Sequence, residues 1–275
     1  MMKTRRVKGI LRYFLLVILA MFFLFPIYWM FVSSLKSPSE IFAFPPKLIP
    51  ENPVWSNYTK VFSQVPFARY MLNTFFVASV VTIVALLLHS MAAYSLARLN
   101  YRGRNFLFIL VISTLMIPFS AILIPLFLIV RNFGWIDSYR GLIIPAIPHA
   151  FGIFFLRQFY LGFPRELEEA AIIDGSGLVR VFFKIVLPLS KPVLSALAVF
   201  FFLANWNSFM WPLVIINSPE MRTVQLGIAQ YGGEYNNPWA IQLAACTVAL
   251  IPTLIVFVVL QKQLMQSIKM TGMKL

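Results

Sequence analysis

The chain has 275 residues, 60% of them hydrophobic and 12% charged, with a formal net charge of +14 and a mean hydropathy of +0.82. That balance leaves too little polar surface to cover a water-soluble globule, so lipid must solvate much of the molecule. The basic residues are spread over many loops and gather on no single face, which gives no case for nucleic-acid binding.

In chain order, the first apolar run covers about residues 13–32 and follows Lys3, Arg5, Arg6, Lys8 and Arg12. This resembles a signal-peptide n-region, but the run is too long for a cleaved h-region and no small-x-small site closes it. An uncleaved anchor is expected. Further runs cover about 71–96, 106–130, 142–163, 193–216 and 239–260. Each can cross a hydrocarbon core of about 30 Å at roughly 1.5 Å per residue. Lipid cannot satisfy an open strand edge, and the runs lack the period-two alternation of a barrel. The reading is an all-α, polytopic membrane helix bundle with six transmembrane helices, organised as a single transmembrane domain over 1–275. Pro118, Pro125, Pro145, Pro148 and Pro252 are candidate kinks.

Alternate loops carry unequal positive charge. The N-terminus, residues 97–105, residues 157–191 and the C-terminus hold sixteen of the 23 Lys and Arg, including Arg98, Arg102, Arg104, Arg157, Arg165, Arg180 and Lys184. The other side holds seven: Lys36, Lys47, Lys60, Arg69, Arg131, Arg140 and Arg222. Positive residues mark the cytoplasmic face, so both termini are expected there and the loop 36–69 outside. That loop contains Pro38, Pro45, Pro46, Pro50, Pro53 and Pro66 with interspersed aromatics, which disfavours regular helix. It reads either as a cap on the bundle or as a docking surface for an external partner.

The loop 164–188 is the most informative. It runs Phe163-Pro164-Arg165-Glu166-Leu167-Glu168-Glu169-Ala170-Ala171-Ile172-Ile173-Asp174-Gly175-Ser176-Gly177. Pro164 suits the first helical position, Glu166, Glu168 and Glu169 suit the positive end of the helix dipole, and Gly175 suits a left-handed stop. A helix of about nine residues, roughly 14 Å, is predicted. Ala170 and Ala171 would let it lie closely in another protein's groove, with Leu167 and Ile172 as apolar anchors. A second amphipathic piece, about 178–186, leads to Pro188 and Pro192, which bend the chain toward the fifth run.

Glu169-Ala170-Ala171 followed by Asp174-Gly175 and Leu187-Pro188-Leu189 resembles the EAA loop of ABC importer transmembrane subunits. Further blocks follow in order: Ser34-Leu35-Lys36, Phe44-Pro45-Pro46-Lys47-Leu48-Ile49-Pro50, Asn57-Tyr58, Ala92-Ala93-Tyr94-Ser95-Leu96-Ala97-Arg98, Leu115-Met116-Ile117-Pro118, Asn205-Trp206-Asn207 and Trp211-Pro212-Leu213. Together they resemble the carbohydrate-importer permeases represented by the G subunit of the maltose transporter, over nearly the whole chain. The resemblance implies a type I ABC importer transmembrane fold in the inner or plasma membrane of a prokaryote. It implies a heterodimer with a second, larger permease on a dimer of cytoplasmic ATPase subunits, fed with a sugar by an extracytoplasmic solute-binding protein. The EAA helix would be the coupling helix. Glu166, Glu169, Ala170, Ala171, Asp174, Gly175 and Pro188 would form that ATPase contact, with Glu169 reaching a basic group and Asp174-Gly175 shaping the turn. The chain has no Gly-Lys dipeptide and hence no Walker A loop, so no cofactor is expected in it and ATP with its Mg would be bound by the partner.

In the fifth run, Asn205, Trp206, Asn207 and Ser208, with Trp211 beyond, place amides and a hydroxyl at membrane depth, where each must find a partner inside the bundle. They either line the sugar path or make helix-to-helix hydrogen bonds. His89 and His149 lack the neighbouring carboxylates of a metal site or proton relay, so packed or interfacial histidines are expected, and Cys246 reads as a small core residue. An ion-coupled secondary transporter is the alternative. It commonly places ionisable groups at the midplane and builds from inverted repeats, and the runs here show almost no acids and no repeat. No catalytic constellation is evident.

Overall fold

The computed structural model describes residues 2–233 and 239–272, with side chains over 12–232 and 239–262. Segments with this composition close their backbone hydrogen bonds locally, and among the described residues the regular structure is entirely helical. In chain order the helices are α1 (Met2–Ser34), α2 (Pro38–Ile41), α3 (Ser56–Gln64), α4 (Phe67–Arg98), α5 (Arg104–Ser113), α6 (Phe119–Asn132), α7 (Tyr139–Ile143) and α8 (Ala150–Leu161). They continue as α9 (Glu166–Ile173), α10 (Leu178–Val181), α11 (Leu187–Leu189), α12 (Lys191–Trp206), α13 (Met210–Ile215), α14 (Val224–Gly233) and α15 (Trp239–Gly272). A π-helical turn, Phe182–Val186, joins α10 to α11.

Three of the predicted runs lie in unbroken helices long and apolar enough to cross a membrane, namely Arg12–Ser34, Phe67–Arg98 and Trp239–Lys262. The other three are bent. Arg104–Met116 meets Phe119–Asn132 at 104°, Tyr139–Ala146 meets Ala150–Leu161 at 41°, and Leu178–Leu189 meets Lys191–Trp206 at 75°. Counting each bent pair as one span gives up to six spans. Proline explains the sharpest break, because its ring forces the preceding residue out of the α region. Ile117, before Pro118, is extended at φ −89°, ψ 114°. The fifth run breaks again after Trp206, so residues 210–215 form the separate helix α13.

The chain falls into two units, Met1–Ala68 with Gly227–Ile251 and Arg69–Leu226 with Pro252–Leu275. In the first, the apolar stretch of α1 is exposed along nearly its whole length. The proline-rich loop after it, expected to disfavour regular helix, carries α2, with Pro38 at its first position, and the proline-free α3, and the stretch around them is ordered by hydrogen bonds. Asn57 Nδ2 donates to Ser34 O at 2.9 Å, the Ser34 and Tyr58 hydroxyls lie 2.7 Å apart, and Val54 N donates to Leu35 O at 2.8 Å. Lys36 is 1% exposed, donates to Lys47 O at 2.6 Å and sits 4.1 Å from the centre of the Trp29 ring. Burial lowers its pKa and the Glu40 carboxylate opposes that shift.

In the second unit, two clusters of buried side chains hold the site. One joins Ala93, Tyr94 and Ala97 of α4 to Leu156 and Tyr160 of α8, to Val181, Phe182 and Val186, and to Val193, Leu197 and Phe201 of α12. Small residues at 93 and 97 let the backbones approach, which is how helices associate where lipid removes the hydrophobic driving force. Gly152 serves the same end, since a Cβ there would overlap His89 Nδ1 and the Phe201 ring. The other cluster joins Val77 and Val81 of α4 to Val130, Leu142, Trp211 and Ile215. Helix α4 belongs to both.

Candidate functional site

The segment predicted as a knob folds as α9, one residue shorter than expected and starting at Glu166, two residues after Pro164. Its first turn carries Glu166, Glu168 and Glu169, where the dipole favours acids. Its end is a Schellman motif: Ser176 N donates to Ala171 O at 2.9 Å and Gly175 N to Ile172 O at 3.0 Å. Gly175 has φ +83°, a conformation that a side chain would strain.

Of the predicted contact residues, Glu166, Glu169, Ala170, Asp174, Gly175 and Pro188 are exposed, and Ala171 is half-buried against the α4–α8–α12 cluster. The exposed face also carries Leu167, Ile172 and Ile173, the last 85% exposed. Eight helical residues with so much apolar exposure are too few to be stable alone. What fixes α9 is the third acid. Glu168 is the helix's one buried residue.

The Glu168 carboxylate is clamped from two sides by α4. Oε1 accepts from Arg98 Nε at 2.7 Å and lies 2.6 Å from Arg98 Nη2, while Oε2 accepts from the Tyr94 hydroxyl at 2.9 Å. Arg98 Nη2 also donates to Phe163 O at 2.8 Å, so one guanidinium holds the chain on both sides of the entry to α9. The ion-pair side chains are 6% and 12% exposed. The planar fork of Arg suits this shared role in a way that a Lys ammonium would not. Sequence reasoning treated Glu168 as one of three helix-dipole acids and Arg98 as a loop cation. The available signal was the block Tyr94-Ser95-Leu96-Ala97-Arg98, which puts a hydroxyl and a guanidinium one helical turn apart on one face.

The other end of α4 faces the predicted polar cluster. Asn205, Ser208 and Trp211 border a cavity of about 20 Å³ together with Thr74, Val77 and Thr223, which is room for about one water. Thr223 Oγ1 is buried there without a protein hydrogen-bond partner. Trp206 and Asn207 are not part of the cavity. Trp206 is buried and stacks on Phe202 at 5.7 Å, and Asn207 donates to Leu203 O and accepts from Gln225 Nε2. Asn205 Nδ2 bonds back to Phe201 O at 2.8 Å, and Trp211 Nε1 donates to Gly141 O at 2.9 Å. Most of this polarity is therefore met within the unit. Asn73 Nδ2 donates to Glu220 O and Arg222 O, both at 2.9 Å, and Thr74 Oγ1 accepts from Val224 N at 2.8 Å, tying the 220–224 segment to α4. His89 Nε2 accepts from His149 N at 3.2 Å amid Phe201, as packed histidines do. Among the described residues no cluster of His, Cys, Asp and Glu could hold a metal ion.

A family profile described as "Binding-protein-dependent transport system inner membrane component" matches residues 85–270. The chain is 33% identical over 259 residues to an arabinooligosaccharides transport system permease protein of Bacillus subtilis, covering 93% of this chain and 92% of that one. It is 34% identical over 270 residues to an sn-glycerol-3-phosphate transport system permease protein of Yersinia pestis (95% and 96%). A sulfoquinovosyl glycerol transport system permease protein of Agrobacterium fabrum is 33% identical over 253 residues (91% and 89%). A crystal structure of a bacterial ABC transporter involved in the import of the acidic polysaccharide alginate contains a chain with TM-score 0.81 and 26% identity, covering 94% of this chain and 97% of that one.

Proposed function

The chain belongs to the family of binding-protein-dependent transport system inner membrane components, and from that premise we propose that it is the smaller of two permeases in an ATP-driven importer of a sugar or sugar-like polyol. As a family member it is a multi-pass membrane permease of the type I ABC importer fold, not an enzyme, and it works with an ATPase and a solute-binding protein. The finer assignments are ours. The second permease is a larger chain, the ATPase is a cytoplasmic dimer that binds ATP and Mg, and both termini and α9 face the cytoplasm. The charge asymmetry between alternate loops supports that orientation.

The observation that carries the reading is α9. It is a short helix with an apolar face exposed, stopped by a left-handed glycine, on a loop between candidate spans. We assign Glu166, Glu169, Ala170, Ala171, Asp174, Gly175 and Pro188 to the ATPase contact. Closure of the ATP-bound dimer favours one arrangement of the bundle, and the loaded binding protein favours the same one from outside. The sugar path runs beside Asn205, Trp206, Asn207, Ser208 and Trp211, a reading supported by the polar cavity that three of them border. The relatives are named for the transport of hydroxyl-bearing solutes, which supports a substrate of that chemistry. Nothing in the relatives favours an ion-coupled mechanism.

The test is uptake by the intact importer in proteoliposomes, with its binding protein and with arabinotriose, sn-glycerol 3-phosphate and sulfoquinovosyl glycerol as labelled probes. At least one probe should accumulate with internal ATP and be indifferent to collapse of ion gradients. Uptake that persists without ATP and follows an imposed proton or sodium gradient would overturn the assignment.

A further inference from the structure

Two features of α4 are unmatched elsewhere in its unit. It runs from Phe67 to Arg98 with neither Pro nor Gly, about 48 Å long at 1.5 Å per residue, whereas the other three candidate spans in this unit are bent. It also belongs to both buried clusters, and each end is fastened by side-chain hydrogen bonds. Tyr94 and Arg98 grip Glu168 of α9, and Asn73 and Thr74 grip the 220–224 segment beside the polar cavity.

We propose that α4 is the connecting rod of the subunit: the Glu168–Arg98–Tyr94 clamp passes displacement of α9 along α4 to the Asn73–Thr74 end, where it moves the wall of the candidate substrate cavity. The proposal rests on the reading of α9 as the ATPase-coupling helix and adds the residues that make the coupling directional. Glu168 is a positioning residue, distinct from the outward-facing Glu166 and Glu169. Three physical points support it. An apolar anchor would let α9 slide or roll on the bundle, whereas a carboxylate held by two donors of a planar guanidinium and by a hydroxyl fixes its orientation. Such a pair, withdrawn from water, contributes more to a unique geometry than to net stability. A helix without a break transmits a push that a bent pair would absorb at its bend.

The experiment uses the intact importer on a Cys246→Ser background, in lipid nanodiscs with ATP for the distances and in proteoliposomes with the labelled solute probes for the transport ratio. One spin label at Ile173 is paired with a label on the ATPase and, in a second preparation, with one at Leu213 near the cavity. In the unsubstituted complex, ATP should shift both distance distributions. Glu168→Gln should keep the α9-to-ATPase shift and lose the Ile173-to-Leu213 shift, with ATP hydrolysed per probe molecule transported rising at least about tenfold. Arg98→Lys should behave likewise, and the exchange Glu168→Arg with Arg98→Glu should recover part of the lost shift. If Glu168→Gln retains the Ile173-to-Leu213 shift and the normal transport ratio, the rod is overturned. If the single variants lose the ATPase from the complex and the exchange recovers nothing, the pair is only fold glue and the rod is overturned too. Ala170→Asp, at an exposed position of α9, separates this from the underlying reading: loss of the ATPase there with a silent Glu168→Gln leaves the coupling helix standing and removes the clamp.

Discussion

Helix α4 and the bent pair α5–α6 are built from nearly the same apolar alphabet, yet one is an unbroken 32-residue helix and the other turns through 104°. The difference is Pro118, together with the extended Ile117 that it enforces. Composition sends a segment into lipid, whereas punctuation decides whether it carries force or shapes a cavity. A segment with α4's role can tolerate many apolar exchanges but no break.

The largest expected effect comes from giving α4 the punctuation of its neighbour. Ile83→Pro, at a position 67% exposed, removes a helical hydrogen bond at a cost of about 3 kcal/mol or more, so transport should collapse. Ile83→Ala should be nearly silent. Normal uptake by the proline variant would erase the distinction between rod and bend. Next is the packing that holds α4 against α8 and α12. Gly152→Leu drives a side chain into His89 and Phe201 at about 1–3 kcal/mol, read as lower thermal stability of the detergent-solubilised protein.

The bends should be more forgiving, and so should the exposed knob. Ala170→Asp, on the exposed face, requires a carboxylate to be desolvated in the proposed groove at about 1–3 kcal/mol, and Gly175→Leu strains a left-handed residue by roughly 1 kcal/mol. Both should uncouple ATP hydrolysis from uptake while membrane insertion stays normal, as measured in reconstituted vesicles. The smallest effect belongs to Asp137, in the turn after α6. Its Oδ1 accepts from Asn217 N, Ser218 N and the Ser218 hydroxyl, and its φ is +55°. Burial alone would raise its pKa, but the hydrogen bonds from Ser218 and Asn217 prevail and hold it below the usual carboxylate value. A depressed folded pKa means that the stabilisation is present above the unfolded value and is lost as pH falls through the folded one, in the acid range below about 4. Asp137→Ala should cost about 1 kcal/mol at neutral pH and remove that acid-side loss, whereas Asp137→Asn should keep the turn, by thermal melts across pH.

Much of the helical content was legible, because long apolar runs allow few other structures in lipid. The α9 helix was legible from its first-turn acids and its glycine. Breaks were harder to place: a proline in a span can kink or end it, and only the neighbours that resatisfy the backbone decide which. The clamp was legible only in part, since Glu168 and Arg98 are 70 residues apart and helix periodicity does not say which of three acids turns inward. Lys36 illustrates the same limit. A loop lysine reads as exposed until Trp29 and the Lys47 carbonyl are seen to enclose it.

The π-helical turn at Phe182–Val186 sets a phase. Leu187 N reaches back to Phe182 O, a span of five residues where an α-helix would use four, so the turn holds one residue more than a regular helix needs. Each residue rotates a helix by about 100°, and α11, up to the 75° bend at Ser190, is offset from α10 by that amount. Deleting Phe183 would regularise the ladder while rolling Ser190, now buried, toward the outside of the bundle. A cysteine at 190 should then become accessible to a membrane-soluble thiol reagent. The extra residue works as a gear tooth, keeping the buried Ser190 at the start of α12 in step with α10 across the turn.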